Sequence, residues 1–283
     1  MLRSLSDAAL SQLLLDDAPY GDMTTQALSL NGPQGHLTLA ATQPMTVCGV
    51  EEAQRLFELA GASAQIQAPS GRHVRAQAEL LIAQGPVAAL MLAWKTAQTL
   101  VEVASGVASE VARIVTELRA AGLQQPLACT RKAFPGARAL SYKAVQAGGG
   151  ILHRLGLSDG VLLYPEHRVF LDASVDDMVG RLRKAQPERK MVSLVTTLEE
   201  AMTFAVAGSD ILQLDGFTPE AVRQTRLALH NSRLHPTLAV SGGVSAANAV
   251  AYAEAGADVL VTSAPYHAPP KDIEASFSRA LSA

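Results

Sequence analysis

The run Asp210-Ile211-Leu212-Gln213-Leu214, closed by Asp215-Gly216, is followed by a helical segment from Pro219 to Asn231. Thr237-Leu238-Ala239-Val240 comes next and is closed by Ser241-Gly242-Gly243. Short apolar runs with turn residues behind them read as strands buried on both faces. A helix between two such strands implies a parallel pair with a right-handed crossover. The same unit recurs outward. Further strands are expected at Pro126 to Thr130, Gly160 to Leu163, Lys190 to Val195 and Asp258 to Val261, with His167 to Leu171 as a seventh. Amphipathic helices fill Arg138 to Ala147, Ser174 to Ala185, Thr197 to Ala207 and Ala246 to Ala255. The expected fold is α/β, a parallel barrel short of eight strands.

Upstream of about Ser105 the style differs. A helix is expected within Met1 to Pro19 and another at Glu51 to Ala60. β-like runs lie at His36 to Thr42, Thr46 to Val50, Ala64 to Ala68 and Glu79 to Gln84, separated by Gly, Pro and Ser. Two helices should follow, Pro86 to Val103 and, N-capped by Ser105, a second one to Ala121. This block reads as a helix layer on a mixed or antiparallel sheet. A last helix, Asp272 to Leu281, is expected to pack back onto one of the domains.

Composition narrows the function. Hydrophobic residues are 48% of the 283 and charged residues 17%, enough apolar material to exclude a disordered chain. A net charge of −3 and 4% aromatic residues argue against a nucleic-acid binder. Cys48 and Cys129 match no metal or redox spacing and fit two buried thiols in a reducing, cytoplasmic setting. The opening residues do not read as a secretory signal. The longest apolar stretch, Pro86 to Trp94, is cut by Lys95 and Glu102, so no membrane span is expected.

In a parallel barrel the loops after the strands share one face, and that face carries the site. The residues at these positions are Thr130, Arg131 and Lys132, Tyr164 to His167, Thr196, Asp215, Ser241 to Gly243, and Thr262 with Ser263. His153 and Arg154 precede the second strand. Between Arg131 and Arg168 six basic residues face two acids in a chain of negative net charge. That local inversion implies a positive field for a small anion. Arg138 and Lys143 are assigned to the solvated face of their helix, whereas Arg131, Lys132 and Arg154 are candidate ligands. Guanidinium forks suit carboxylates and phosphates because they engage two oxygens at once. Ser241-Gly242-Gly243, between a strand and a helix, suits a phosphate; alone it is a common βα turn. Gly148-Gly149-Gly150 reads either as close backbone approach or as a flexible loop. Asp215 could hold Mg²⁺ or sugar hydroxyls, or cap the next helix, a task that fits Thr218 better.

These motifs, in this order, resemble the quinolinate phosphoribosyltransferase family, and more closely its ModD branch, which takes its name from molybdenum-transport operons. The resemblance runs from Gly21-Asp22-Met23-Thr24-Thr25 through Ala104-Ser105-Gly106-Val107-Ala108 to Gly256-Ala257-Asp258. It is strongest in Thr130-Arg131-Lys132-Ala133-Phe134-Pro135-Gly136, Gly148 to Arg154 and Leu214-Asp215. The family implies an N-terminal α/β sandwich domain, 1–105, completed by a C-terminal helix within 270–283. It also implies an incomplete barrel, 106–269, and assembly as a homodimer or larger even oligomer. The implied reaction joins phosphoribosyl pyrophosphate and quinolinate to give nicotinate mononucleotide, carbon dioxide and pyrophosphate, with Mg²⁺. By resemblance, Arg131, His153 and Arg154, with Thr130, hold ring carboxylates, and Lys132 faces the phosphoribosyl donor. Asp215 faces ribose or metal, and Ser241 to Gly243 with Ser263 hold the 5′-phosphate. Lys95 falls where the family has an arginine offered across the dimer interface.

The chain also departs from the family pattern. Tyr164 replaces a lysine, Glu166-His167 an Asn-His pair, Leu194 and Thr196 two glutamates, and Ala239 an acid. Cations for an anion persist while most carboxylates for ribose and metal are gone. Two expectations follow: a phosphoribosyltransferase for an acidic heterocycle, or a non-catalytic oxyanion binder related to molybdate.

Overall fold

The computed structural model describes residues 3–30 and 32–280. The chain forms two compact units. One comprises Met1–Ala112, Ala133–Gly149 and Pro265–Ala283, the other Arg113–Lys132 and Gly150–Ala264. The helix Arg138–Ala147, which lies between barrel strands in sequence, therefore groups with the first unit rather than with the barrel.

The first unit is built on an antiparallel sheet in the order Ile273–Arg279, Gln34–Ala41, Glu79–Pro86, Ser63–Ile66. Leu37, Leu39 and Ala41 alternate inward along the second of these strands. The helices Asp7–Asp17 and Val50–Ala60 bury Leu10, Leu14, Leu56 and Phe57 in the same core. The expected C-terminal helix is instead a strand, pairing Leu37 with Phe277 and Leu39 with Ala275. Ile273, Ala275 and Phe277 alternate with Glu274, Ser276 and Ser278, a period of two that suits a sheet edge. The expected end of that helix, Leu281, lies outside the described residues.

Two more expectations fail in this unit. Val87–Ala120 is one continuous helix, and Ser105 does not cap a second one. The Ser105 hydroxyl is buried, accepting from the Cys48 amide at 3.0 Å and donating to the Cys48 carbonyl at 3.3 Å. A Cβ on neighbouring Gly106 would come within 3.2 Å of the Pro270 Cα. By length and composition this helix could cross a membrane, yet Leu90, Ala93, Ala97, Val101, Ala108, Ile114 and Leu118 along it are buried. The second failure is Lys143, which is not on a solvated face. It is 4% exposed, with Nζ 2.8 Å from Glu51 and 2.5 Å from Glu52. Arg138 is exposed as expected.

The second unit holds seven parallel strands in the order Ile151–Leu152, Leu127–Cys129, Val259–Thr262, Thr237–Ser241, Ile211–Asp215, Met191–Val195, Val161–Leu163. The first and last strands do not pair, so the barrel stays open. His167 to Leu171 is not a strand. Pro165–Arg168 forms a helical turn, held by a bond from the Tyr164 amide to His167 Nδ1 at 3.0 Å. The seventh strand is the two-residue Ile151–Leu152, supplied by the segment after the glycines. Ser174, Thr197 and Thr218 each cap a helix by accepting from the amide three residues on. Small residues, Ala128, Ala239 and Val261, pack together inside the curved sheet.

Candidate functional site

The strand ends of the second unit surround a cavity of about 760 Å³. Thr130, Arg131, Lys132, His153, Arg154, Tyr164, Asp215, Ser241, Gly242, Gly243 and Ser263 all line it. Of the residues proposed from sequence, His167 and Lys95 lie outside this lining. His167 instead accepts from the Tyr164 amide. Lys95 lies elsewhere. It is an exposed residue of the first unit, with its ammonium 4.1 Å from the Trp94 ring centroid.

Strand pairing places these side chains. The Thr130 amide donates to the Thr262 carbonyl at 2.9 Å, which sets Arg131 and Lys132 at the rim. The His153 amide donates to the Cys129 carbonyl at 2.9 Å, which carries Arg154 alongside. Arg154 is 7% exposed and donates from Nη2 to the Tyr164 hydroxyl at 2.8 Å. Tyr164, where the family has a lysine, thus steadies a cation rather than adding one. Gly242 has φ +88°, and a Cβ there would stand 2.5 Å from the Gly216 amide nitrogen, so only glycine fits this turn.

The charge balance is the functional signal. Arg131, Lys132 and Arg154 line the cavity with no carboxylate partner among the described residues, while Arg168 is taken up by Glu200 at 3.1 Å. Asp215 and exposed Glu166 are the acids in the lining. Unpaired cations grouped this way favour a multiply negative guest. Burial and the neighbouring Arg154 hold the His153 imidazole below its ordinary pKa. Cys129, beneath the rim, is an inert thiol that burial pushes up to about 12.

Among the cavity residues that sequence reasoning missed are Gln213, Val244 and Val261. A glutamine in the middle of an apolar strand was a readable signal; the other two look like ordinary core.

Two family models match the chain. The quinolinate phosphoribosyl transferase N-terminal domain matches residues 22–105, and the C-terminal domain matches residues 107–276. The chain belongs to the quinolinate phosphoribosyltransferase family. A Rhodobacter capsulatus relative named "Putative pyrophosphorylase ModD" is 46% identical, covering 87% of this chain and 95% of its own. A relative of the same name from Escherichia coli O6:H1 is 35% identical over 98% of this chain and 99% of its own. A nicotinate-nucleotide pyrophosphorylase (carboxylating) from Mycobacterium leprae is 32% identical over 90% of each. The identities place this family member nearer the ModD-named proteins than the Mycobacterium leprae enzyme. Among solved structures, NadC from Streptococcus pyogenes superposes with a TM-score of 0.88 at 25% identity, over 97% of this chain and 96% of that one. The family is one of phosphoribosyltransferases, a glycosyl-transfer class.

The family also implies Mg²⁺, and the donor set tests it. Among the described residues no three His, Cys, Asp or Glu side chains converge on one point. Asp215 already spends Oδ1 on the Ser241 hydroxyl. One carboxylate oxygen does not make a resident Mg²⁺ site, since that ion wants six oxygens in near-octahedral array.

Proposed function

We propose that this chain transfers a phosphoribosyl group from phosphoribosyl pyrophosphate to a ring nitrogen of an acidic heterocycle. The bond from the sugar's C1 to the pyrophosphate oxygen breaks, and its electron pair leaves with pyrophosphate. The lone pair of the ring nitrogen forms the new bond. One observation carries the reading: three cations without carboxylate partners among the described residues, a glycine turn and the Asp215 carboxylate face the same cavity. The leaving group is a polyanion and C1 becomes electron-poor as it departs, so the work is positioning and charge stabilisation.

In this reading Arg131, Arg154 and His153, with Thr130, receive the acceptor's carboxylates, and Tyr164 keeps Arg154 in place. Lys132 faces the donor's phosphates. The Ser241–Gly243 turn and Ser263 receive the 5′-phosphate, and Asp215 the ribose hydroxyls. Any Mg²⁺ arrives as part of the donor's phosphate complex. The working form is a homodimer, in which Lys95 of one protomer serves the other's cavity. Quinolinate is one acceptor to test. Leu194, Thr196 and Ala239 supply none of the carboxylates that the family has at these positions, which points to an acceptor or rate different from the quinolinate enzymes.

The test is pyrophosphate release from the donor with Mg²⁺ and a panel of acidic nitrogen heterocycles that includes quinolinate. Release dependent on one acceptor, and lost in Arg131→Ala and Arg154→Ala, is expected. The scarcity of acids in the cavity favours a second reading, an oxyanion binder without glycosyl transfer. Saturable molybdate binding with no pyrophosphate released across the panel selects that reading.

A further inference from the structure

The cavity floor holds a hydrogen-bond chain of which one member, Gln213, has no part in the proposed reaction. Gln213, 7% exposed, donates from Nε2 to Ser241 Oγ at 3.0 Å, and Ser241 Oγ donates to Asp215 Oδ1 at 2.7 Å. Gln213 and Asp215 are two apart on one strand, so their side chains share a face, and strand pairing sets Asp215 opposite Ser241.

The direction of the chain is forced. A serine hydroxyl has one proton, and the carboxylate, as the charged acceptor, takes it. The Ser241 oxygen must then meet a donor, so the Gln213 amide turns Nε2 toward it. The opposite orientation would set two acceptors 3.0 Å apart. The arrangement leaves Gln213 Oε1 buried without a partner. An apolar side chain at 213 would avoid that cost, so the amide is there for what it orients. Asp215 keeps Oδ2 unengaged among the described residues, and the Ser241 proton is no longer available to a phosphate.

We infer that Gln213 is a positioning residue that acts through Ser241 to fix the Asp215 carboxylate, with Oδ1 held in the wall and Oδ2 presented to the ligand. Ser241 then meets a phosphate through its main chain alone. The inference rests on the proposed reaction, in which Asp215 faces the donor's ribose.

The test uses Gln213→Met, which keeps length and loses the amide, and Ser241→Ala, with calorimetry of phosphoribosyl pyrophosphate and, separately, inorganic phosphate. Each substitution should weaken the donor about tenfold, leave inorganic phosphate within about twofold, and have no further effect on an Asp215→Ala background. Crystal structures should show the Asp215 carboxylate rotated in Gln213→Met. Equal loss of inorganic phosphate in Ser241→Ala, additivity with Asp215→Ala, or an unmoved carboxylate each overturns the inference. If the wild-type protein binds inorganic phosphate but not the donor, the proposed reaction fails. The carboxylate's orientation in Gln213→Met still decides the role of Gln213.

Discussion

An ammonium 4% exposed to solvent persists in a protein interior only when carboxylates surround it, and Lys143 has two. Glu51 also accepts from the Ser70 amide at 3.1 Å and from its hydroxyl, and Glu52 from the Ser4 amide at 2.6 Å. Lys143→Met removes the buried ammonium that Glu51 and Glu52 share. It should therefore lower unfolding free energy by about 3–5 kcal/mol, read as a shifted urea midpoint. The sequence pattern could not reveal this, because the partners lie 92 and 91 residues away and the local pattern is that of an exposed helix face. His153 gives a second prediction. Burial and Arg154 lower its pKa, so the free protein favours neutral imidazole at neutral pH. An anionic guest favours the protonated form instead. Affinity for quinolinate should thus rise as pH falls below neutrality, and His153→Gln should flatten the slope. A flat profile in the unaltered protein would remove His153 from the list of anion ligands.

At the scale of elements, the barrel strands after Gln125 were legible to within a residue or two, because short apolar runs alternate there with helices whose caps can be read. Thr218, for instance, accepts from the Ala221 amide at 3.2 Å, and Pro219 begins the helix. The errors fell where tertiary pairing decides. Ile151–Leu152 is too short to signal itself, and it is a strand because Ala128 and Cys129 offer it an edge. The terminal Ile273–Arg279 became a strand because Gln34–Ala41 was open on that side. Between the two glycine readings, the structure chooses close approach at Gly148. A Cβ there would sit 2.6 Å from the Val111 Cβ, and closer still to the Ala108 carbonyl. Gly148→Ala should destabilise the fold by about 1–3 kcal/mol, through overpacking of backbone that has nowhere to go. Gly156→Ala, with open space around its Cβ, serves as the control and should stay within about 0.5 kcal/mol. Equal midpoints for the two variants would show that the backbone at 148 can yield.

At the scale of the whole molecule, the cavity collects nearly every site residue that the sequence nominated, from segments as distant as Thr130 and Ser263. Parallel topology explains this, since it turns strand ends into one face and makes site membership predictable from position alone. Lys95 is an exception, and its place explains why no spacing argument could assign it. It rests on Trp94 and reaches Gln98 at 3.4 Å, with no carboxylate partner among the described residues and no part in the cavity of its own chain. The dimer proposal gives that cation a task that a single protomer cannot. If each cavity takes Lys95 from the other protomer, Lys95→Ala on one protomer and Arg154→Ala on its partner fall on the same site of a mixed dimer. Each variant alone should be nearly inactive in pyrophosphate release. Random re-pairing makes half of the dimers mixed, and one of the two sites in each is intact. The mixture should therefore recover about a quarter of wild-type activity, as closed two-fold symmetry requires. Recovery that stays at the level of the separate variants, in a mixture whose exchange is confirmed by mass, would assign Lys95 to its own chain or to no site at all.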